Sequence, residues 1–176
     1  LIPAIQALMA QAGLRFEQLD AIAFGRGPGS FTGLRTACSV AQGLAFGASA
    51  ASAVRVLPID TLLAVAEQAR FEYGVTRVRA MLDARMGEIY LADYQYESDQ
   101  WRSSGGFSLI RPENLEARTG WTVSGNVFAA SGARLPRQDV PRLEALPTAA
   151  ALLRLAPSLI AAGQAVAADQ ALPLYI

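Results

Sequence analysis

Residues 24–35 read "FGRGPGSFTGLR", packing four glycines and a proline between an apolar run and a helical one. The preceding "LDAIAFGRG" reads as a short buried strand centred on residues 21–24. The following "FTGLRTACSVAQGLAFGAS" (31–49) reads as a helix of about five turns, with Ser30 or Thr32 as N-cap. Strand, glycine turn, helix is the architecture of anion sites, because amides at a helix N-terminus point into the turn. The specific phosphate motifs fail, however. GxGxxG begun at Gly25 meets Ser30 where its third glycine belongs, and begun at Gly27 it meets Thr32. A generic anion site stays open, with Arg26, Gly27, Gly29 and Ser30 as candidate phosphate contacts and Arg35 as a companion. The competing reading is that the glycines serve positive φ angles and close backbone approach.

Composition narrows the chemistry. The chain has 176 residues, 52% of them hydrophobic, with 15 cationic and 15 acidic side chains and no histidine. That content fits a folded globular protein, and zero net charge provides no overall field toward nucleic acid. Every cation is arginine. Without histidine there is no Ser-His-Asp triad and no histidine-ligated zinc. Without lysine there is no Schiff base and no Walker lysine. The single cysteine, Cys38, excludes an intramolecular disulfide and reads as packed rather than reactive. Carboxylates, arginine, tyrosine, hydroxyls and backbone amides remain.

The rest of the chain alternates. Residues 1–13 show helical spacing closed by Gly13. "VRVLPI" (54–59) reads as a strand, and residues 60–74 read as a helix with Asp60 as cap and Gly74 as stop. "RVRAMLDARMG" and "EIYLADYQYE" form a hairpin about Met86 and Gly87. "FSLIRPENLEARTG" predicts a strand and then a helix begun by Pro112. "WTVSGN" predicts a strand, and residues 127–147 are the least legible. A last helix spans 147–163, kinked or split by Pro157, and "LPLYI" closes as a strand. The pattern is α/β with a mixed sheet. No uninterrupted apolar stretch is long enough to span a bilayer, no signal peptide shows, and a cytoplasmic location is the expectation. Leu1 reads as the interior of a helix, so the true start is expected to be missing.

Two constellations stand out besides the turn. Gly33, Ala37, Ala41 and Ala45 fall at i, i+4, i+8 and i+12, a stripe of small residues that admits close backbone approach by a partner's helix or an internal strand. Asp83, Arg85 and Glu88 in "DARMGE" could do acid–base work were one carboxylate buried, or could form a hairpin salt bridge.

"AFGRGPGSFTGLRTACSVAQGLAFG" resembles the diagnostic segment of the bacterial TsaB (YeaZ) family. "DARMGEIYLADY" and "PLYI" are similar to that family's second and closing markers, with agreeing spacing. The resemblance implies an actin-like (ribonuclease H-like) two-lobed α/β fold with mixed sheets flanked by helices. It implies a first lobe over 1–73, partial because N-terminal strands with an Asp-Thr-(Ser/Ala) turn are expected to be missing. A second lobe over 74–176 follows, with a C-terminal helix that could return to the first. It further implies a non-catalytic scaffold in tRNA threonylcarbamoyladenosine synthesis, partnered by TsaD and TsaE, homodimeric in isolation and reaching tRNA through the complex. No cofactor of its own is implied, although ATP or ADP could sit at the junction with TsaD. The implied interface lies on the two helices of the first lobe, at Ile5, Met9, Phe31, Gly33, Leu34, Ala37, Ala41, Leu44 and Ala45. The rival reading is an active ATPase or small-molecule kinase of the same superfamily.

Overall fold

The computed structural model describes residues 1–48, 54–137 and 139–176. Helix α1 (Ile2–Ala12) carries Pro3 in its first turn and ends at Gly13, whose φ of 65° is left-handed. Strand β1 (Ala21–Gly27) leads through the glycine turn into α2 (Phe31–Gly47); the predicted last residue of that helix, Ser49, lies outside the described residues. Strand β2 (Arg55–Asp60) pairs parallel with β1, and α3 (Thr61–Tyr73) follows at once, stopped by Gly74.

Strands β3 (Arg77–Arg85) and β4 (Glu88–Glu97) form the expected hairpin. Strand β5 (Gln100–Ser103) and β6 (Ser108–Ile110) both pair antiparallel with β4. Strand β7 (Thr122–Gly125) joins β3 in parallel, and β8 (Arg142–Glu144) joins β7 in parallel beyond the short helix α4 (Phe128–Ser131). The second sheet is therefore mixed, ordered β5-β4-β3-β7-β8 with β6 on β4, beside the two-stranded β1-β2 sheet. Helix α5 (Ala149–Ala161) packs on α3 and on the first sheet.

Helix α3 is the pivot. Its residues 62–69 are all buried, including Glu67 and Gln68. A helix buried on every side loses amphipathic periodicity, and this one is covered from both sheets. One core cluster joins Leu57 and Ile59 of β2, Leu62 and Val65 of α3, Val78 and Leu82 of β3, and Leu155 of α5.

Three local expectations fail. Pro112 starts only a 3-10 turn, Pro112–Asn114, because no apolar periodicity follows to bury a longer helix. Pro157 lies within α5 without splitting it. Residues 172–176 form no strand; a single ladder-like bond, Leu174 N–H to the Arg26 carbonyl at 2.7 Å, ties them to β1.

Candidate functional site

The glycine turn is filled by the chain's own C-terminal segment. The Arg26 carbonyl accepts from Leu174 N–H, and the Leu174 carbonyl faces the Gly27 α-carbon so closely that any β-carbon would overlap it. Gly27 has φ 127° and precedes a cis peptide to Pro28, a backbone that favours glycine. Its N–H donates to Thr61 Oγ1 at 3.1 Å. Farther along, the Ala171 carbonyl accepts from Cys38 Sγ–H at 3.1 Å and Gln42 Nε2–H at 2.9 Å. Arg35 lies over the Phe31 ring, 3.8 Å from its centroid, and donates from Nε to the Tyr175 hydroxyl at 3.1 Å. Burial pushes the Cys38 thiol up, so it stays protonated and packed.

Three of the candidate phosphate contacts, Arg26, Gly27 and Ser30, have partners within the chain. Arg26 Nε donates to Asp60 Oδ1 at 2.6 Å, which also explains why Asp60, in the N-cap position of α3, makes no capping bond. Ser30 does cap α2, its Oγ accepting from Gly33 N–H at 3.2 Å. Gly29 packs beside the Leu34 side chain. Arg26, Gly27 and Ser30 are thus each bonded within the chain, to Asp60, Thr61 and the Gly33 amide.

The small-residue stripe requires a correction. Ala41 and Ala45 are 2% and 0% exposed, sealed with Phe24, Val56 and Ala171 of the same chain; Leu34 is buried as well. The stripe drifts because successive i+4 steps advance about 400° around the helix, not a full multiple of a turn. It rolls from solvent at Gly33 to the sheet at Ala45. Gly33 itself makes room for the cap, since a β-carbon there would lie 2.6 Å from Ser30 Oγ. Ala37 and Leu44 are half-buried, and Phe31 is exposed but shares its ring with Arg35 and Tyr175.

The outward face of α2 carries a second set of small residues instead. Thr36, Ser39, Gly43 and Gly47 are exposed, and a β-carbon on either glycine would meet nothing within 4 Å. Phe46, 81% exposed, borders them in sequence. Helix α1 buries none of its residues: Leu8 stands in solvent, while Ile5 and Met9 are half-buried.

"DARMGE" resolves as a hairpin device. Asp83 Oδ1 accepts from Arg85 N–H at 2.8 Å, and its other oxygen pairs with Arg85 Nη1 at 3.5 Å. Asp83 N–H is held by Asn126 Oδ1. Arg85 and Glu88 face each other across the ladder after a register shift.

A cluster that residue spacing did not disclose sits on α3. Glu67 accepts from Arg70 Nε and Nη2 at 2.9 Å, from Arg154 Nε at 3.0 Å and from Trp101 Nε1 at 3.0 Å. Burial pushes its carboxyl up, but the hydrogen bonds from Arg70, Trp101 and Arg154 outweigh that and hold it below the usual glutamate range. Arg154 standing alone in an alanine- and leucine-rich helix was the available signal.

Comparison with known proteins matches residues 1–172 to the family model described as TsaD: tRNA N6-adenosine threonylcarbamoyltransferase. The chain is 34% identical to the tRNA threonylcarbamoyladenosine biosynthesis protein TsaB of Escherichia coli (strain K12), over 189 residues covering 100% of this chain and 78% of that protein. It is 34% identical over 194 residues to the protein of the same name from Haemophilus influenzae, with the same coverage. Among solved structures it superposes on YeaZ from Pseudomonas aeruginosa with a TM-score of 0.89 and 39% identity, covering 100% of this chain and 82% of that one. The fold is thus the actin-like α/β class the sequence pointed to.

Proposed function

The chain belongs to the TsaB family of tRNA threonylcarbamoyladenosine biosynthesis proteins, and from that membership we propose that it is the non-catalytic partner subunit of this tRNA modification. In this reading it pairs with TsaD and supports transfer of a threonylcarbamoyl group to the adenosine beside the anticodon. TsaE joins the assembly, tRNA is reached through the complex, and the isolated protein pairs with a second copy of itself. The work is done in the cytoplasm; no helix among the described residues is long and apolar enough to cross a membrane.

The observation that carries the non-catalytic half is the seat of Leu174 on Gly27. In a turn built for phosphate the amides face open space; here the chain's own backbone stands against the turn. ATP or ADP then belongs at the junction with TsaD, held by the assembly and not by this turn alone. The pairing half is supported by the outer face of α2, where Gly43 and Gly47 would let another helix come close, and by the uncovered Leu8 of α1. The alternative of an active ATPase or small-molecule kinase draws no support from the relatives named above.

Calorimetric titration of ATP into the isolated chain, with co-purification on TsaD, tests both halves. Complex formation without nucleotide turnover by this subunit is expected. Micromolar ATP binding with hydrolysis by the isolated chain would overturn the reading.

A further inference from the structure

A cavity of about 270 Å³ opens between α3, the β4–β5 hairpin and α5, apart from the glycine turn and from the outer face of α2. Its wall includes Arg70, Arg154, Tyr96 and Trp101, closed on the apolar side by Leu63 and Leu159. Glu67, 2% exposed, underlies it. This carboxylate fixes both guanidinium groups: Arg70 engages it through Nε and Nη2, and Arg154 engages it through Nε while giving Nη2 to Gln68 Oε1 at 2.7 Å. Each plane is also stacked, Arg70 over Tyr96 and Arg154 over Phe71.

That leaves Nη1 of each arginine. Neither donates to any protein group in the described contacts, and no buried side-chain nitrogen among the described residues lacks a partner, so both amino groups are open to solvent. Two guanidinium groups held rigid by one buried carboxylate carry one positive charge more than that carboxylate cancels. The remaining acidic group in the wall, Asp99, lies on the exposed hairpin tip and acts on Arg70 more weakly than Glu67 does. Such a site recognises an oxyanion with oriented donors. The tryptophan, tyrosine and leucine surfaces beside it suit a flat apolar body.

We propose that this cavity binds a small aromatic carboxylate, its carboxylate received by the free Nη1 groups of Arg70 and Arg154 and its ring lying against the Trp101 side.

The test uses the whole purified chain and benzoate as probe, followed through the Trp101 indole N–H and the arginine Nε–H signals by NMR at fixed ionic strength. Trp101→Phe assigns the indole signal. Saturable shifts confined to Trp101, Arg70 and Arg154 are expected. Inorganic phosphate should bind about tenfold more weakly, lacking the ring contact. Ala162→Trp places a bulky group in the cavity wall at the exposed end of α5, and should abolish the shifts with circular dichroism unchanged. Arg154→Lys keeps the charge but loses the fork, and should weaken binding about tenfold. Linear, unsaturable shifts in the wild type would overturn the proposal. So would undiminished binding by a folded Ala162→Trp variant, or phosphate binding as tight as benzoate binding.

Discussion

Gly27 and Leu174 are in backbone contact across 147 positions of chain, the glycine α-carbon lying under the leucine carbonyl while Arg26 accepts the leucine N–H. This contact seats the C-terminal segment on the turn that leads into α2, while Thr36, Ser39, Gly43 and Gly47 on the outward face of α2 stay exposed.

Gly27→Ala should therefore act on the fold. The residue holds φ 127°, and the new methyl group would collide with backbone rather than with a yielding side chain. Backbone strain alone costs about 1–3 kcal/mol, and expulsion of the tail adds to it. Urea denaturation should show a lower midpoint, with faster proteolysis after residue 171. Unchanged stability would mean that the tail is not seated on the turn.

The Glu67 cluster predicts a pH dependence. A carboxyl held below its ordinary value in the folded state stabilises the protein above the unfolded value, about pH 4.3, and that stabilisation is lost as pH falls through the folded value. Glu67→Gln should destabilise by about 3 kcal/mol at pH 7, since it leaves Arg70 and Arg154 half-buried without their counter-charge. The gap between variant and wild type should narrow below pH 4. Equal gaps at pH 7 and pH 3.5 in parallel urea titrations would show that the charge is not what matters.

The β3–β4 turn offers a change in the opposite direction. Met86 sits at φ 51° ahead of Gly87 at φ 79° and is 98% exposed. Left-handed backbone at both positions suits Asn-Gly far better than Met-Gly. Met86→Asn should stabilise by about 1 kcal/mol, read as a higher midpoint in thermal melts; a lower one would show that the methionine side chain contributes something the hairpin needs.

Much of this was legible in the sequence, and the gaps have physical causes. Gly13, Gly74 and Met86-Gly87 marked their turns because left-handed backbone has few residue solutions. Residues 24–35 disclosed strand, turn and helix. Their spacing could not disclose whether the turn faced a ligand or residue 174, because that contact is made by residues distant in sequence. Ala41 was assigned to the wrong side because a row of small residues is equally suited to an internal sheet and a partner's helix; only Val56 and Ala171 decide between them. Glu67 stayed hidden because α3 is buried all round, which removes the periodicity that would flag an inward charge. Pro112 was overread: a proline can open a helix, but the residues after it supply no apolar face.

Ala41→Arg follows from the same correction. A guanidinium forced into the cluster of Phe24, Cys38 and Ala45 has no partner there, and burying an unpaired charge costs several kcal/mol. The variant should lose its circular dichroism signal or purify as aggregate. A folded Ala41→Arg protein would show that this side of α2 is open.

Gly43→Arg is the sharpest probe, because its position on α2 is exposed and a β-carbon there touches nothing. Size-exclusion chromatography of the purified chain with TsaD, run beside a thermal melt, measures pairing and folding separately. The account predicts that wild type and TsaD co-elute, whereas Gly43→Arg elutes apart from TsaD with its melting midpoint unchanged. Co-elution of Gly43→Arg with TsaD at wild-type stoichiometry would contradict it.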